Sequence, residues 1–478
     1  MATRLFPAIV STTLVHSVIT LCLTSGIAAA ANADWQKNWP AWRGPLANGV
    51  APAANPPSEW SEEKNVKWKV ELPGRGSATP AIWGNRVFVL TAIATGKKVA
   101  PKPDQAGGIS LPPGLAQVQP PPPGQEGQGR RGRGGRGGFG GGSPPDEEQQ
   151  FAVLCLDRQT GKTLWQKSAI QTLPHEGHHR DHGFASSSPI TDGERVYAYF
   201  GSRGLHCFDM DGNLQWQREF GRMRTANGFG EGCSPALHGN TIVVKWDHEG
   251  DDFIEALDKR TGKTLWNVKR DERTSWSTPL VVEHGGKAQV IATASSRILS
   301  YDLANGNVIW ESDGLTPNVI PSPVTGHGLI YAMSGFRGNM LKAIRPDKTG
   351  DLSGTDAIVW KHDRSTPYVP SPLLYGDLLY FCAGNEATLS CFDAKSGKAH
   401  YEANRVEGIF GVYASPLGAS GRVYLIGRNG VSVVLKQSPA FEVIATNKLD
   451  EKFDASPAAA GNELFLRGQK FLYCLAGN

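Results

Sequence analysis

Two stretches of this 478-residue chain concentrate side chains capable of chemistry. The first is His175-Glu176-Gly177-His178-His179-Arg180-Asp181-His182. His178 and His182 stand four apart, a spacing that would align two metal ligands on one helix face. No helical periodicity surrounds them and no H-E-x-x-H occurs, so an ordinary polar loop is the competing reading. The second is Trp246-Asp247-His248-Glu249-Gly250-Asp251-Asp252. Its Asp247, Glu249 and Asp251 are hard oxygen donors suited to Ca2+, without the spacing of an EF-hand loop.

Arginines form a third set: Arg203, Arg297, Arg337, Arg428 and Arg467, each shortly after an apolar run. A guanidinium fork matches carboxylate or phosphate geometry. Such a set either converges on an anionic ligand or pairs, one by one, with acids of neighbouring elements. Six cysteines follow residue 34 and form no C-x-x-C pair, which excludes a zinc ribbon or c-type haem attachment. Cys382 and Cys391 flank one turn and are the candidates for a disulfide.

The elements that must position these residues come from a repeat. A small residue, Ser or Thr, and Pro precede an apolar run at Pro80, Pro189, Pro235, Pro279, Pro323, Pro372, Pro416 and Pro457. From Pro189 the intervals are 46, 44, 44, 49, 44 and 41 residues. Short strands at that period mean propeller blades. Within a unit, Asp157-Arg158-Gln159-Thr160-Gly161-Lys162-Thr163-Leu164-Trp165 reads as a Gly hairpin between the third and fourth strands. It recurs from Asp258 to Trp266 and from Asp302 to Trp310. The expected fold is all-β: an eight-bladed propeller of four-stranded antiparallel blades. The last unit lacks an outer strand, and Val66–Leu72 is expected to supply it and close the ring.

Residues 1–33 read as a signal peptide: Arg4, an apolar run from Leu14 to Leu23, and Ala31-Asn32-Ala33 before Asp34. An N-terminal extension then occupies 34–65 and the propeller 66–478. Within the first blade, 97–150 is rich in Pro, Gly, Gln and Arg and reads as a disordered insertion. The leader implies an exported protein, periplasmic or extracellular. No later apolar run is long enough to span a bilayer. A net charge of +4 without basic helices or stacking motifs does not point to nucleic acid. A monomer is expected.

Antiparallel topology sorts the loops onto two faces. The segments before each Ser/Thr-Pro motif and the turns between second and third strands share one face; the Thr-Gly-Lys hairpins lie on the other. The first face collects His178, His182, Arg203, Asn227, Glu231, Trp276, Arg297, Asn318, Arg337, Tyr368 and Arg428, the expected ligand-binding funnel.

The D-x-x-T-G-K-x-x-W units resemble the PQQ-type repeats of quinoprotein alcohol dehydrogenases and of the outer-membrane assembly propeller BamB. Over nearly all of the chain after the leader, the resemblance is to secreted bacterial PQQ-like β-propeller repeat proteins. It implies the propeller fold and leaves function open, because function lives in sites. The adjacent Cys-Cys pair and haem site of the dehydrogenases are missing, and no complete motif places PQQ or Ca2+. Two functional readings follow: a binding module for a partner protein, a peptide or an anionic glycan, and a quinone- or metal-dependent oxidoreductase. BamB-like membrane assembly is a third, disfavoured because Leu21 stands where a lipobox before Cys22 needs a small residue.

Overall fold

Alternating apolar residues bounded by Gly turns fold into short antiparallel strands, and the repeat places eight such sheets around an axis. The computed structural model describes residues 34–99, 142 and 145–477. Blade 2 shows the pattern: Ile190–Thr191, Arg195–Tyr199, Leu205–Asp209 and Leu214–Arg218 pair in sequence order. Blade 1 uses Ala81–Trp83, Arg86–Lys98, Glu147–Asp157 and Thr163–Thr172. Blade 4 gains a fifth strand, Gly350–Asp351, parallel to Trp310-Glu311 at its outer edge.

Ring closure follows the sequence expectation. Val66–Glu71 is the outer strand of blade 8 and pairs antiparallel with Phe471–Ala476, Trp68 opposite Cys474 and Val70 opposite Leu472. The sheet then continues inward through Glu463–Arg467 and Ala458–Ala460.

Five of the blades dock on the next through a tryptophan. The indole N–H of Trp165 donates to the Met210 carbonyl at 2.9 Å, Trp216 to Lys259 at 3.1 Å, and Trp266 to Leu303 at 2.8 Å. Trp360 does the same to Ala394, and Trp68 to Arg158 across the closure. The ring face covers the hairpin glycine of the neighbour: a Cβ on Gly262 would lie 2.6 Å from Trp216, and one on Gly306 2.7 Å from Trp266. Only glycine leaves room there, and its positive φ also makes the turn. The repeated Asp…Gly…Trp spacing is thus one half of each of two successive interfaces.

The Ser/Thr-Pro motif has its own physical reason. The Thr79 backbone N–H donates to Ser188 Oγ at 3.0 Å, and Ser188 N–H donates to Ser234 Oγ at 2.9 Å. The series continues through Thr278, Ser322, Ser371, Ser415 and Ser456, one blade to the next. Thr79 Oγ1 completes the circle by donating to the Ser456 carbonyl at 3.1 Å. These buried groups immediately precede the innermost strands, so the proline that follows each of them interrupts no ladder.

Residues 34–65 are built into the propeller. They cross the hairpin face, with Trp39 bridging Ile82, the Thr191 N–H donating to the Pro40 carbonyl, and the Ala51 N–H donating to Gly418. Buried Arg43 donates to the Pro416 carbonyl at 2.9 Å and to the Pro372 carbonyl at 2.6 Å.

Two expectations change. The strands flanking the insertion run further than the apolar cores that defined them, with Lys98 paired to Glu147, because ladder hydrogen bonds continue past the buried part of the hairpin. The bounds 97–150 therefore include strand ends; the leader and most of the insertion lie outside the described residues. Cys382 and Cys391 are not bridged: in the ladder Cys382 faces Leu389 and Cys391 faces Tyr380. All six described cysteines are free and buried. Burial pushes the Cys382 and Cys391 thiols up to about 12, so they act as small apolar core residues.

Candidate functional site

The segments entering each innermost strand converge on one end of the pore and enclose a cavity of about 650 Å3. Its floor is Trp42, delivered from the N-terminal extension, whose indole N–H donates to Ser322 Oγ at 3.1 Å. Phe229, Trp276, Phe336, Tyr368 and Tyr413 form aromatic walls. Phe336 and Tyr368 stack with centroids 4.9 Å apart, and Trp276 is anchored by its N–H to the Gly230 carbonyl at 2.7 Å. Ring hydroxyls of Ser234, Thr278, Ser371 and Ser415 open between these rings. Each accepts a backbone N–H, and none of these four donates to an acceptor among the described residues. The cavity offers rings to stack on and O–H donors to an oxygen-bearing ligand.

One wall is charged. Arg428 lies 3.8 Å over the Tyr413 ring and pairs with Asp454 at 2.5 Å and Asp181 at 3.0 Å. Lys452 stands 3.5 Å from Asp181 and 3.6 Å from Asp454. His182 completes that side. Burial lowers its pKa from 6.5 to about 4, so the ring is neutral near pH 7. Nε2 lies 2.9 Å from the Glu231 carbonyl and Nδ1 3.1 Å from Ser186 Oγ, which places the proton on Nε2 and the acceptor at Nδ1.

Of the residues expected on this face, His182, Trp276 and Tyr368 line the cavity. Asn318 interacts with the Tyr368 hydroxyl and takes a left-handed backbone, φ 57°. His178 packs edge-on against Phe184, with Nδ1 2.8 Å from the His179 carbonyl. Arg203 is buried with Glu231 at 2.9 Å, and the same carboxylate takes the Ser202 N–H, so this pair fixes the turn of blade 2. Arg297 faces Glu311 on its own outer strands at 3.3 Å. Arg337 lies over the Phe336 ring at 5.3 Å, and Asn227 occupies a turn with φ 55°.

The acidic stretch is absorbed by the fold. Asp247 is fully buried, held by Arg270 at 2.7 Å and Lys245 at 3.3 Å. Glu249 accepts the Thr274 N–H and hydroxyl. Among the described residues no group of three or more His, Cys, Asp or Glu has a metal-binding arrangement, so Asp247, Glu249 and Asp251 do not form one. The histidine stretch is spent on backbone contacts in the same way.

Sequence reasoning missed Trp42, Phe336, Tyr413 and the hydroxyl ring as lining. Trp42 belongs to a segment that the sequence places outside the propeller, and the Ser/Thr hydroxyls enter the sequence reading only as marks of the repeat.

A ring of docked PQQ-type blades around an aromatic cavity defines the class: a PQQ-like repeat β-propeller. Residues 149–402, just over half of the chain, match the family model described as outer membrane protein assembly factor BamB, and the chain belongs to that family. Among solved structures it is similar to BamB from Moraxella catarrhalis, at 14% identity and TM-score 0.50, over 68% of this chain and 93% of that one. It is also similar to the quinohemoprotein alcohol dehydrogenase ADHIIG from Pseudomonas putida HK5, at 10% identity and TM-score 0.52, over 94% and 81%. Those likenesses are of fold. No curated protein sequence matches. No described helix is long and apolar enough to cross a membrane.

Proposed function

We propose that this chain is an exported binding module whose pore-face cavity holds an anionic ligand, free or carried on a partner protein or glycan. The observation that carries the reading is the cavity of about 650 Å3 itself, floored by Trp42 and walled by five further aromatic rings. That volume and lining are those of a small-ligand site. The opposite face carries the blade-docking hairpins and the N-terminal crossing.

The quinone-dependent alternative is served less well. A Ca2+–quinone pair needs free oxygen donors, yet Asp181 and Asp454 are engaged by Arg428 and Glu231 by Arg203. The residues present do not fit that pair.

Native mass spectrometry with metal analysis tests the reading, before and after adding PQQ and Ca2+. A co-purifying or added ligand should be lost in Trp276→Ala and Tyr368→Ala. A ligand retained by both variants with unchanged affinity would place binding elsewhere.

A further inference from the structure

The five recurring arginines do not share one environment. Arg203, Arg297 and Arg428 each have a carboxylate, and Arg337 lies over Phe336. Arg467 ends the strand Glu463–Arg467 of blade 8, is 2% exposed, and has no acid within ion-pair distance among the described residues. One hydrogen bond holds it, from Nη1 to the Ala78 carbonyl at 3.2 Å, although a guanidinium carries five N–H groups. Burial pushes its pKa down to about 9, so it is still a cation near pH 7. A buried charge left unpaired is costly, which favours a counter-charge from outside the chain.

The surroundings provide room for one. Arg467 lines a side pocket of about 70 Å3, together with Arg75 and Arg180. Ser77, His182 and Asp454 belong to both this pocket and the main cavity. Gly76 keeps the space at the guanidinium open: a Cβ there would lie 2.6 Å from Arg467 Nη2 and 2.5 Å from the Ala185 carbonyl. The two acids on the pocket, Asp181 and Asp454, are held by Arg428 and point their charge there.

We propose that Arg467, flanked by Arg75 and Arg180, forms a subsite for one small oxyanion, a carboxylate carried by a ligand whose apolar body stacks in the main cavity. This rests on the cavity being the binding site. It adds the ligand class: an aromatic or otherwise flat body bearing a carboxylate.

The test titrates the protein with benzoate and its neutral isostere benzamide by calorimetry. Wild type should bind benzoate at least tenfold tighter than benzamide. Arg467→Met should abolish that preference while its melting temperature is unchanged or higher, because an unpaired buried charge is removed. Arg467→Lys, which keeps the charge and loses the fork, should retain a weaker preference; it stands in if the Met variant does not fold. Equal binding of the two probes, or an unchanged preference in Arg467→Met, overturns the subsite. So does absence of benzoate binding. If Trp276→Ala abolishes both probes and the preference is absent, the cavity reading stands and the subsite falls. If Arg467→Met abolishes benzoate binding and Trp276→Ala leaves it intact, the subsite stands and the cavity reading falls.

Discussion

Trp42 donates its indole N–H to Ser322 Oγ at 3.1 Å, joining residues 280 positions apart. The same ring lines the central cavity and a second chamber of about 600 Å3 on the hairpin face. The indole, with Thr278 and Ser322, therefore stands between two chambers. Trp42→Ala should join them into a through-channel and weaken cavity ligands about tenfold or more, as read by calorimetry. Unchanged affinity would show that the floor is not a contact.

Trp266 and Gly306 form one interlock between blades 3 and 4. Trp266→Ala should cost about 3–5 kcal/mol in denaturant unfolding. Gly306→Ala places a Cβ 2.7 Å from that ring on a backbone with φ +78°, and should cost at least about 2 kcal/mol. In the Trp266→Ala background the steric part disappears, so the double variant should be less unstable than the sum of the singles. Strict additivity would mean the two do not meet.

His182 makes stability depend on acid. Its folded pKa of about 4 lies below the ordinary 6.5. Between those values the unfolded chain binds more protons than the folded one, so stability falls as pH drops from about 6.5 toward 4. The full effect is on the order of 3 kcal/mol. Melting temperatures at pH 7.5 and 5 should diverge in wild type and converge in His182→Gln; equal slopes in both would remove His182 as the cause.

Arg43 fastens the N-terminal crossing to the ring by donating to the Pro372 and Pro416 carbonyls. Lysine cannot reproduce that fork. Arg43→Lys should expose residues 34–65 to limited proteolysis while the blades stay resistant. Protection equal to wild type would show that Trp39 and the backbone bridges suffice.

The propeller was legible because its information is local and repeated. Gly161, Trp165 and their counterparts mark turn and interface within nine residues, and Val66–Leu72 was recognisable as the strand missing from the last blade. The site was legible only in part. Trp276, Tyr368 and His182 could be placed by loop topology, since each precedes an innermost strand. Partnerships could not: Arg203 and Glu231 are 28 residues apart, and Arg428 meets Asp181 from the far side of the ring closure. Whether an arginine is free or neutralised depends on contacts between blades, which carry no sequence signature. The Asp247–Glu249–Asp251 spacing misled for the same reason, because Arg270 and Lys245 claim Asp247.

The strand Val66–Glu71 pairs with Phe471–Ala476, and this has a consequence for how the molecule is made. Synthesis delivers the N-terminus first. The first strand must then wait, its edge unpaired, until nearly the whole polypeptide has emerged. Seven blades can dock progressively from their neighbours, but the eighth needs both ends of the chain. Its closing contact spans some 400 residues, a slow step with a large loop entropy. Truncation after Ala460 would leave Val66–Glu71 without its ladder partner and the ring open.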